Sequence, residues 1–313
     1  MTFDFRQILW DDQVADDCRQ LVRLAIREDL DRGYDWTTVA LVPDDARGAA
    51  TIVARKPGII AGLPAVRLAM LEFDPRVQID EYLSDGTAVS AGQQVARLAG
   101  PARTLLTAER VLLNLLGRLS GIATLTRQYV DRVAGTKARI YDTRKTMPGW
   151  RRLEKYAVQA GGGHNHRLGL FDAVLIKDNH LAFGSTAGAN ERYTPAEAVL
   201  QARKLIDELK PPLTAGMDRM IIEVEVDRLD QLDQVLPTLP DIVLLDNMPL
   251  ANLREAVRRR DAGYREVELE ASGGVNLTTV AGIAQTGVDR ISVGALTHSA
   301  EWFDVGLDWN AAD

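Results

Sequence analysis

The second half of the chain repeats a simple unit of short apolar runs separated by helical patterns. The apolar runs lie at residues 138–141, 173–176, 221–226, 242–245, 267–269 and 291–293. The last four begin at intervals of 25 residues or fewer. Regular alternation of short strands with helices predicts a parallel sheet or barrel.

The first half has a less regular pattern and predicts a smaller sheet with helices. Apolar positions recur every three or four residues, as in helices, at residues 15–28, 63–71 and 107–133. Short strands are expected at residues 49–55 and 77–83, and the glycines of residues 85–100 indicate tight turns of a small sheet.

Composition and charge restrict the class of protein. The 313 residues are 46% hydrophobic and 26% charged, with a net charge of −7, which is typical of a globular protein of about two domains. An acidic chain is repelled by phosphate backbones and anionic lipid, so we expect neither nucleic acid nor a membrane as its main partner.

Cysteine content and the absence of targeting signals predict a cytoplasmic location. Cys18 is the only cysteine, which excludes an intrachain disulfide and indicates a reducing compartment without structural zinc. The first residues lack a signal-peptide pattern, and no stretch approaches ~20 uninterrupted apolar residues.

Polar residues follow each predicted strand of the second half. Active sites of parallel α/β barrels lie at this carboxyl edge. The polar strand ends include residues 142–145, 177–180, 223 with 225, 246–247, 270–274 and 294–295. Residues 139–180 also carry eight Lys or Arg against four Asp or Glu, so a locally positive pocket for a small anionic substrate is expected.

Carboxylates and glycines at these strand ends suggest two further sites. Glu223 and Glu225 share one strand face and Asp246 ends the next strand. They could bind Mg²⁺ or stabilise a developing cation, or form a buried ion-pair network; the two interpretations are compatible. Residues 272–274, before a helix expected to start near Asn276, and residues 293–295 are typical of a phosphate site.

The residues at these positions resemble the quinolinate phosphoribosyltransferase family. The resemblance is collinear over nearly the whole chain, through residues 61–64 (AGLP), 109–114 (ERVLLN), 142–149 (DTRKTMPG), 161–169 (GGGHNHRLG), 175–180 (LIKDNH), 222–226 (IEVEV), 244–248 (LLDNM), 269–274 (LEASGG) and 291–299 (ISVGALTHS).

The resemblance implies an α/β fold of two domains. An N-terminal α/β sandwich would span residues 1–120 and an incomplete, TIM-like α/β barrel with the active site residues 121–295. Residues 296–313 would form a tail that packs back on the N-terminal domain. Residues 184–193 and 210–220 look longer than the family pattern.

The implied reaction joins quinolinate to phosphoribosyl pyrophosphate, giving nicotinate mononucleotide, pyrophosphate and CO₂, a step of de novo NAD biosynthesis. It would use Mg²⁺ and no organic cofactor. The catalytic residues implied are Lys145, Lys177, Glu225 and Asp246, with Glu225 and Asp246 near the metal, directly or through water.

The resemblance also implies how the substrates are bound. Quinolinate would contact Arg144, His166, Arg167 and Lys177, with Arg110 supplied by the partner of a homodimer. The remaining contacts implied are Thr143, Ser272, Gly273, Gly274, Val293, Gly294, Ala295 and His298.

Two other functions are consistent with parts of the pattern. A Schiff-base lyase could use Lys145 or Lys177 beside a phosphate site, but it needs an uncharged lysine and the neighbouring carboxylates oppose that. A non-catalytic sensor of pyridine nucleotides would bind product without turnover.

Overall fold

The computed structural model describes residues 4–184, 192–213 and 219–310. Most of the segment at 184–193 and the middle of the segment at 210–220 therefore lie outside the described residues. The helices are α1 (Asp12–Leu30), α2 (Trp36–Leu41), α3 (Leu63–Phe73), α4 (Ala102–Arg132), α5 (Arg151–Ala160), α6 (Asp178–Phe183), α7 (Pro195–Leu209), α8 (Leu229–Val235), α9 (Leu250–Asp261), α10 (Val280–Ala284) and α11 (Ala295–His298).

Six of the strands, β6 to β11, overlap the six apolar runs of the second half. The strands of the described ranges are β1 (Arg47–Ala54), β2 (Gly58–Ile59), β3 (Gln78–Glu81), β4 (Ala88–Val89), β5 (Gln94–Pro101), β6 (Arg139–Tyr141), β7 (Ala173–Ile176), β8 (Ile221–Val226), β9 (Ile242–Asp246), β10 (Glu268–Ser272), β11 (Arg290–Ser292) and β12 (Val305–Asn310).

The chain divides into two compact units. As far as they are described, residues 4–7, 128–145 and 163–295 form the first, here called the barrel unit. Residues 8–127, 146–162 and 296–310 form the second, the sandwich unit. The sequence-based domain boundaries at residues 120 and 295 stay a prediction.

The barrel unit contains one sheet of six parallel strands in the order β6-β11-β10-β9-β8-β7. Strand β8 is buried except at Glu225, as expected of a parallel strand covered on both faces. Next to β6, the Asp142 N–H donates to the His164 carbonyl, and the His164 N–H donates to the Ile140 carbonyl. The expected incomplete α/β barrel is confirmed, and its six carboxyl strand ends meet at one edge.

The sandwich unit contains an antiparallel sheet in the order β12-β1-β5-β3 and a separate pair, β2 and β4. Strand β12 of the C-terminal segment pairs antiparallel with β1 over six residues. Helix α3 begins at Leu63, where the half-buried Asp85 carboxylate accepts hydrogen bonds from the Gly62 and Leu63 N–H groups. Together these features form the expected small α/β domain.

One predicted helix is much shorter than expected. The interval between Asn276 and Gly287 is helical only in α10 (Val280–Ala284). The Asn276 Oδ1 atom accepts from the Thr278 and Thr279 N–H groups, as the side chain of a helix N-cap does, but residues 277–279 form turns and α10 starts only at Val280. The predicted start near Asn276 is therefore wrong by about one helical turn.

Candidate active site

A cavity of about 590 Å³ opens at the carboxyl ends of the barrel strands. Its lining comes from residues that follow or end β6, β7, β9, β10 and β11. The residues are Thr143, Arg144, Lys145, His166, Arg167, Leu175, Lys177, Leu244, Asp246, Asn247, Glu270, Ser272, Gly273, Gly274 and Ser292.

Ten of the site residues predicted from the sequence line this one cavity. They are Thr143, Arg144, Lys145, His166, Arg167, Lys177, Asp246, Ser272, Gly273 and Gly274. Glu225 is joined to the cavity through Lys177, because the Lys177 Nζ and Glu225 Oε2 atoms lie 2.6 Å apart. Catalytic and binding roles for these residues stay predictions.

The other predicted residues lie elsewhere. Val293 follows β11 and donates its N–H to the Tyr141 carbonyl at 2.8 Å, and Gly294 and Ala295 come next in the chain. Arg110, on α4, and His298, in α11, belong to the sandwich unit, and both side chains are exposed.

Two guanidinium groups make the cavity strongly cationic. Burial and the positive charge of Arg144 both lower the pKa of Arg167, although Arg remains charged in proteins. The Arg144 Nε atom is buried and has no hydrogen-bond partner within the described ranges. Two neighbouring cations, one with a free buried donor, form a surface that an anionic ligand would complete.

A buried aspartate orients the segment that carries His166 and Arg167. Asp142, at the end of β6, accepts from the Asn165 side-chain amide at 2.7 Å and from the His166 N–H at 2.8 Å. Asp142 is fully buried. In the motif DTRK, Thr143, Arg144 and Lys145 line the cavity, whereas Asp142 has a structural role. It holds the loop that carries Asn165 and His166 against the end of β6.

The His166 side chain faces two buried carboxylates. Its Nε2 atom lies 3.0 Å from Glu223 and 3.5 Å from Glu270. Burial alone would lower the pKa of His166, but the charges of Glu223 and Glu270 outweigh it and raise the pKa to about 9. The Arg167 N–H donates to Nδ1 at 2.8 Å, a bond that favours the neutral ring. In either protonation state Nε2 carries a proton and faces the two carboxylates.

This cluster fits ion pairing better than metal binding. The donor atoms of His166, Glu223 and Glu270 lie within 4.8 Å of one another. A metal ion would need the lone pair of Nε2, yet the hydrogen bond at Nδ1 leaves the proton on Nε2. The Arg290 guanidinium, 3.8 Å from Glu270, adds a further positive charge. We therefore assign these carboxylates to holding His166.

Glu225 and Asp246 are better placed for a hydrated cation. Glu225 is in register with Leu244 of β9, so Asp246, two residues further along that strand, lies on the same face. Both side chains are half-buried and end in hard oxygen donors, which suit Mg²⁺ that keeps part of its water shell. The donor set therefore fits the Mg²⁺ expected from the sequence.

The turn after β10 requires glycine. Gly273 has φ = +91°, and a Cβ atom there would overlap the Asn247 side-chain amide. Asn247 itself has φ = +52° and donates from Nδ2 to Asp246 Oδ2 at 2.8 Å. Because α10 starts only at Val280, the backbone N–H groups nearest the cavity belong to this turn and not to a helix end.

The sequence-based site set lacks several residues that the structure brings to the cavity. Leu175, Leu244, Asn247, Glu270 and Ser292 line it. Strand alternation could have identified Glu270, since it lies two residues before Ser272 on β10. No periodic signal marks Asn247, whose role depends on the contact with Gly273.

The fold and the site together define an enzyme that handles small anionic substrates at the carboxyl edge of a parallel α/β barrel. Family models for the N-terminal and C-terminal domains of quinolinate phosphoribosyl transferase match residues 35–120 and 122–308. The chain belongs to the quinolinate phosphoribosyltransferase family, which confirms the resemblance. It is thus a phosphoribosyltransferase of the pentosyltransferase class.

Named relatives extend over nearly the whole chain. Nicotinate-nucleotide pyrophosphorylase [carboxylating] of Mycobacterium leprae is 45% identical over 94% of this chain and 97% of its own length. A probable nicotinate-nucleotide pyrophosphorylase of Synechocystis is 41% identical, with coverages of 90% and 89%.

Solved structures show the same fold. Nicotinate-nucleotide pyrophosphorylase from Francisella tularensis matches with a TM-score of 0.85 and 36% identity, covering 98% of this chain and all of that one. The Ehrlichia chaffeensis enzyme matches with a TM-score of 0.79 and 35% identity, with coverages of 93% and 98%.

Within the described ranges, no helix is both long enough and apolar enough to span a membrane.

Proposed function

We propose that this chain transfers the phosphoribosyl group of phosphoribosyl pyrophosphate to quinolinate with loss of one carboxylate. The products are nicotinate mononucleotide, pyrophosphate and CO₂, as in de novo NAD biosynthesis. The observation that carries the proposal is the pair of guanidinium groups of Arg144 and Arg167, which line one cavity and repel each other, in a chain that belongs to this family.

Quinolinate supplies the negative charge that this pair lacks. Its two carboxylates accept hydrogen bonds from Arg144, Arg167 and the Lys177 ammonium, while His166 lies deeper against Glu223. Guanidinium groups bind carboxylates in a bidentate manner, and Lys adds a point charge. Collecting these cations in one cavity offsets the repulsion between a dicarboxylate and a phosphorylated pyrophosphate.

The carboxylates at the neighbouring strand ends assist ribosyl transfer. The quinolinate ring nitrogen forms a bond to C1 of the ribose as the bond from C1 to pyrophosphate breaks. Positive charge develops at C1, and the Glu225 and Asp246 carboxylates stabilise it electrostatically. Lys145 and the Ser272–Gly274 turn bind the phosphate groups.

Decarboxylation needs no additional group on the protein. The ring nitrogen becomes a pyridinium when it bonds to ribose, and it accepts the electron pair released as the adjacent carboxylate leaves as CO₂. A proton then takes the place of the carboxylate. The ribosylated substrate supplies its own electron sink, so the proposed reaction needs no organic cofactor.

Mg²⁺ would be held by Glu225 and Asp246, directly or through water. When bound, it neutralises charge on the pyrophosphate leaving group. The protein's own share is to orient those two carboxylates, Glu225 through Lys177 and Asp246 through Asn247.

The assembly is a homodimer in which Arg110 of one subunit completes the cavity of the other. The exposed Arg110 side chain supports this arrangement. So do Leu170 and Phe171, which lie shortly after the His166–Arg167 segment in the chain and are 72% and 62% exposed. Large apolar side chains beside a polar cavity are typical of a protein interface. We place the enzyme in the cytoplasm.

A Schiff-base lyase is less compatible with the site. Lys177 lies 2.6 Å from the Glu225 carboxylate, which stabilises the ammonium form, whereas imine formation needs the neutral amine.

A comparison of two pyridine acids tests the proposal. Purified protein with Mg²⁺ and phosphoribosyl pyrophosphate should release pyrophosphate in the presence of quinolinate. Nicotinate, which has one carboxylate, should give a kcat/KM value about 10- to 150-fold lower, because a charged hydrogen-bond pair contributes roughly 1.5–3 kcal/mol. Equal use of the two acids, or turnover of neither, would refute the assignment.

A further inference from the structure

Residues 4–7, here called the N-terminal segment, close the amino end of the barrel strands. The Phe5 ring packs with Ala173, Ile221 and Ile242, the first residues of β7, β8 and β9. The Asp4 carboxylate accepts from Arg139 at 3.0 Å and from Arg290. These two arginines are the first residues of β6 and β11, so the segment contacts five of the six strand starts.

The same segment reaches His166 from the side opposite the cavity mouth. The Phe5 ring stacks on the His166 imidazole, with 4.5 Å between ring centroids and 28° between planes. Both residues are buried. A ring stacked on an imidazole limits its rotation and fixes the direction of Nε2.

Gln7 holds the backbone beside that imidazole. Its Oε1 atom accepts from the Asn165 N–H at 2.8 Å, and its Nε2 atom donates to the Asn165 carbonyl at 3.3 Å. Nε2 also donates to the Phe5 carbonyl at 2.7 Å. One amide therefore connects the loop that carries His166 to the segment that carries Phe5.

We propose that the N-terminal segment positions His166 in the anion pocket, with Phe5 and Gln7 as positioning residues for the substrate carboxylates. The proposal rests on the proposed function, because it takes His166 as a contact of quinolinate. Neither residue lines the cavity, so their effect on substrate passes through His166.

Two substitutions in the full chain separate the contacts. Gln7→Ala removes the paired hydrogen bonds to Asn165, and Phe5→Leu keeps an apolar side chain but loses the stacked ring. Each should raise the KM and the dissociation constant for quinolinate about fivefold to tenfold, the effect of roughly one hydrogen bond, and leave the KM for phosphoribosyl pyrophosphate within about twofold.

Phe303→Leu serves as the matched control. Phe303 is also a buried phenylalanine but belongs to the sandwich unit. This variant should lose thermal stability without changing the KM for quinolinate. A KM for quinolinate that stays at the wild-type value in both test variants, or that rises equally in the control, would overturn the proposal.

A readout without turnover separates this proposal from the proposed function. With ¹³C-labelled histidine, the His166 ring resonance is assigned by its loss in His166→Gln. In Gln7→Ala the Phe5 ring is retained, so a change in its ring-current effect on that resonance reports movement of His166. An unmoved resonance refutes positioning even if the enzyme is active, and a moved one supports it even if the wild type makes no nicotinate mononucleotide.

Discussion

At the scale of single residues, the cavity is built around charges that the protein does not balance itself. Burial and the charge of Arg144 lower the pKa of Arg167, and Arg144 keeps a buried Nε donor without a partner in the described part of the chain. His166, in contrast, is balanced by Glu223 and Glu270. The pocket is therefore selective for anions at the two guanidinium groups.

Replacing Arg144 should affect the two substrates differently. Arg144→Ala removes a charged donor to a carboxylate, so the KM for quinolinate should rise roughly 10- to 150-fold, while the KM for phosphoribosyl pyrophosphate changes much less. Arg144→Lys should recover part of the loss, because it restores charge but not the planar fork. Steady-state kinetics with each substrate varied in turn measures both values.

The surface variant Arg97→Ala controls for net charge, since Arg97 pairs with Asp80 at 3.7 Å on the sandwich unit. It should leave both KM values unchanged. Equal increases for the two substrates in Arg144→Ala would show that this residue does not distinguish quinolinate.

At the scale of elements, the strands were predictable because apolar runs are required wherever a parallel strand is covered on both faces. The runs at 173–176 and 221–226 coincide with β7 and β8. The run at 267–269 differs from β10 (Glu268–Ser272), since Glu270 and Ser272 face the cavity and interrupt the apolar pattern. Polar residues that face the cavity therefore hide the carboxyl end of this strand from a prediction based on apolar runs.

Long-range contacts could not be predicted from local pattern. Phe5 precedes the first helix and carries no periodic signal, yet its ring meets His166. In the sequence Asn247 is only one of several polar residues at strand ends, and its close approach to the turn at Gly273 is evident only in the structure.

The turn after β10 gives a prediction with an internal control. Gly273→Ala forces a methyl group against Asn247 and thereby displaces Asp246, so kcat should fall by about 100-fold or more, a change of roughly 2.7 kcal/mol. Gly274→Ala has no atom within 4 Å of the new Cβ, and only its φ of +61° is unfavourable. It should cost about 1–2 kcal/mol of unfolding free energy with a smaller loss of kcat.

Kinetics and thermal unfolding of the two variants distinguish these effects. If Gly273→Ala and Gly274→Ala have the same kcat, the close contact between Gly273 and Asn247 is not needed to position Asp246.

At the scale of the whole molecule, the net charge of −7 is an average over unlike regions. Residues 139–180 carry eight Lys or Arg against four Asp or Glu, and the rest of the chain is acidic. The exposed Arg110 belongs to the sandwich unit, and exposed Leu170 and Phe171 belong to the barrel unit. Both observations support the proposed exchange of residues between subunits.

Subunit mixing tests that exchange. Arg110→Ala and Arg144→Ala should each be nearly inactive at low quinolinate. Mixed dimers have one intact site, formed by Arg144 of one subunit and Arg110 of its partner. Random reassortment of equal amounts should therefore restore about a quarter of wild-type activity. No recovery in confirmed mixed dimers would mean that Arg110 acts within its own subunit or not at all.

The most direct test of the function follows one carbon atom. Quinolinate carrying ¹³C in the carboxylate next to the ring nitrogen is incubated with protein, Mg²⁺ and phosphoribosyl pyrophosphate. We expect ¹³CO₂, pyrophosphate and unlabelled nicotinate mononucleotide in equal amounts, and no ¹³CO₂ without phosphoribosyl pyrophosphate. Label retained in the nucleotide, or ¹³CO₂ released without pyrophosphate, would contradict the mechanism.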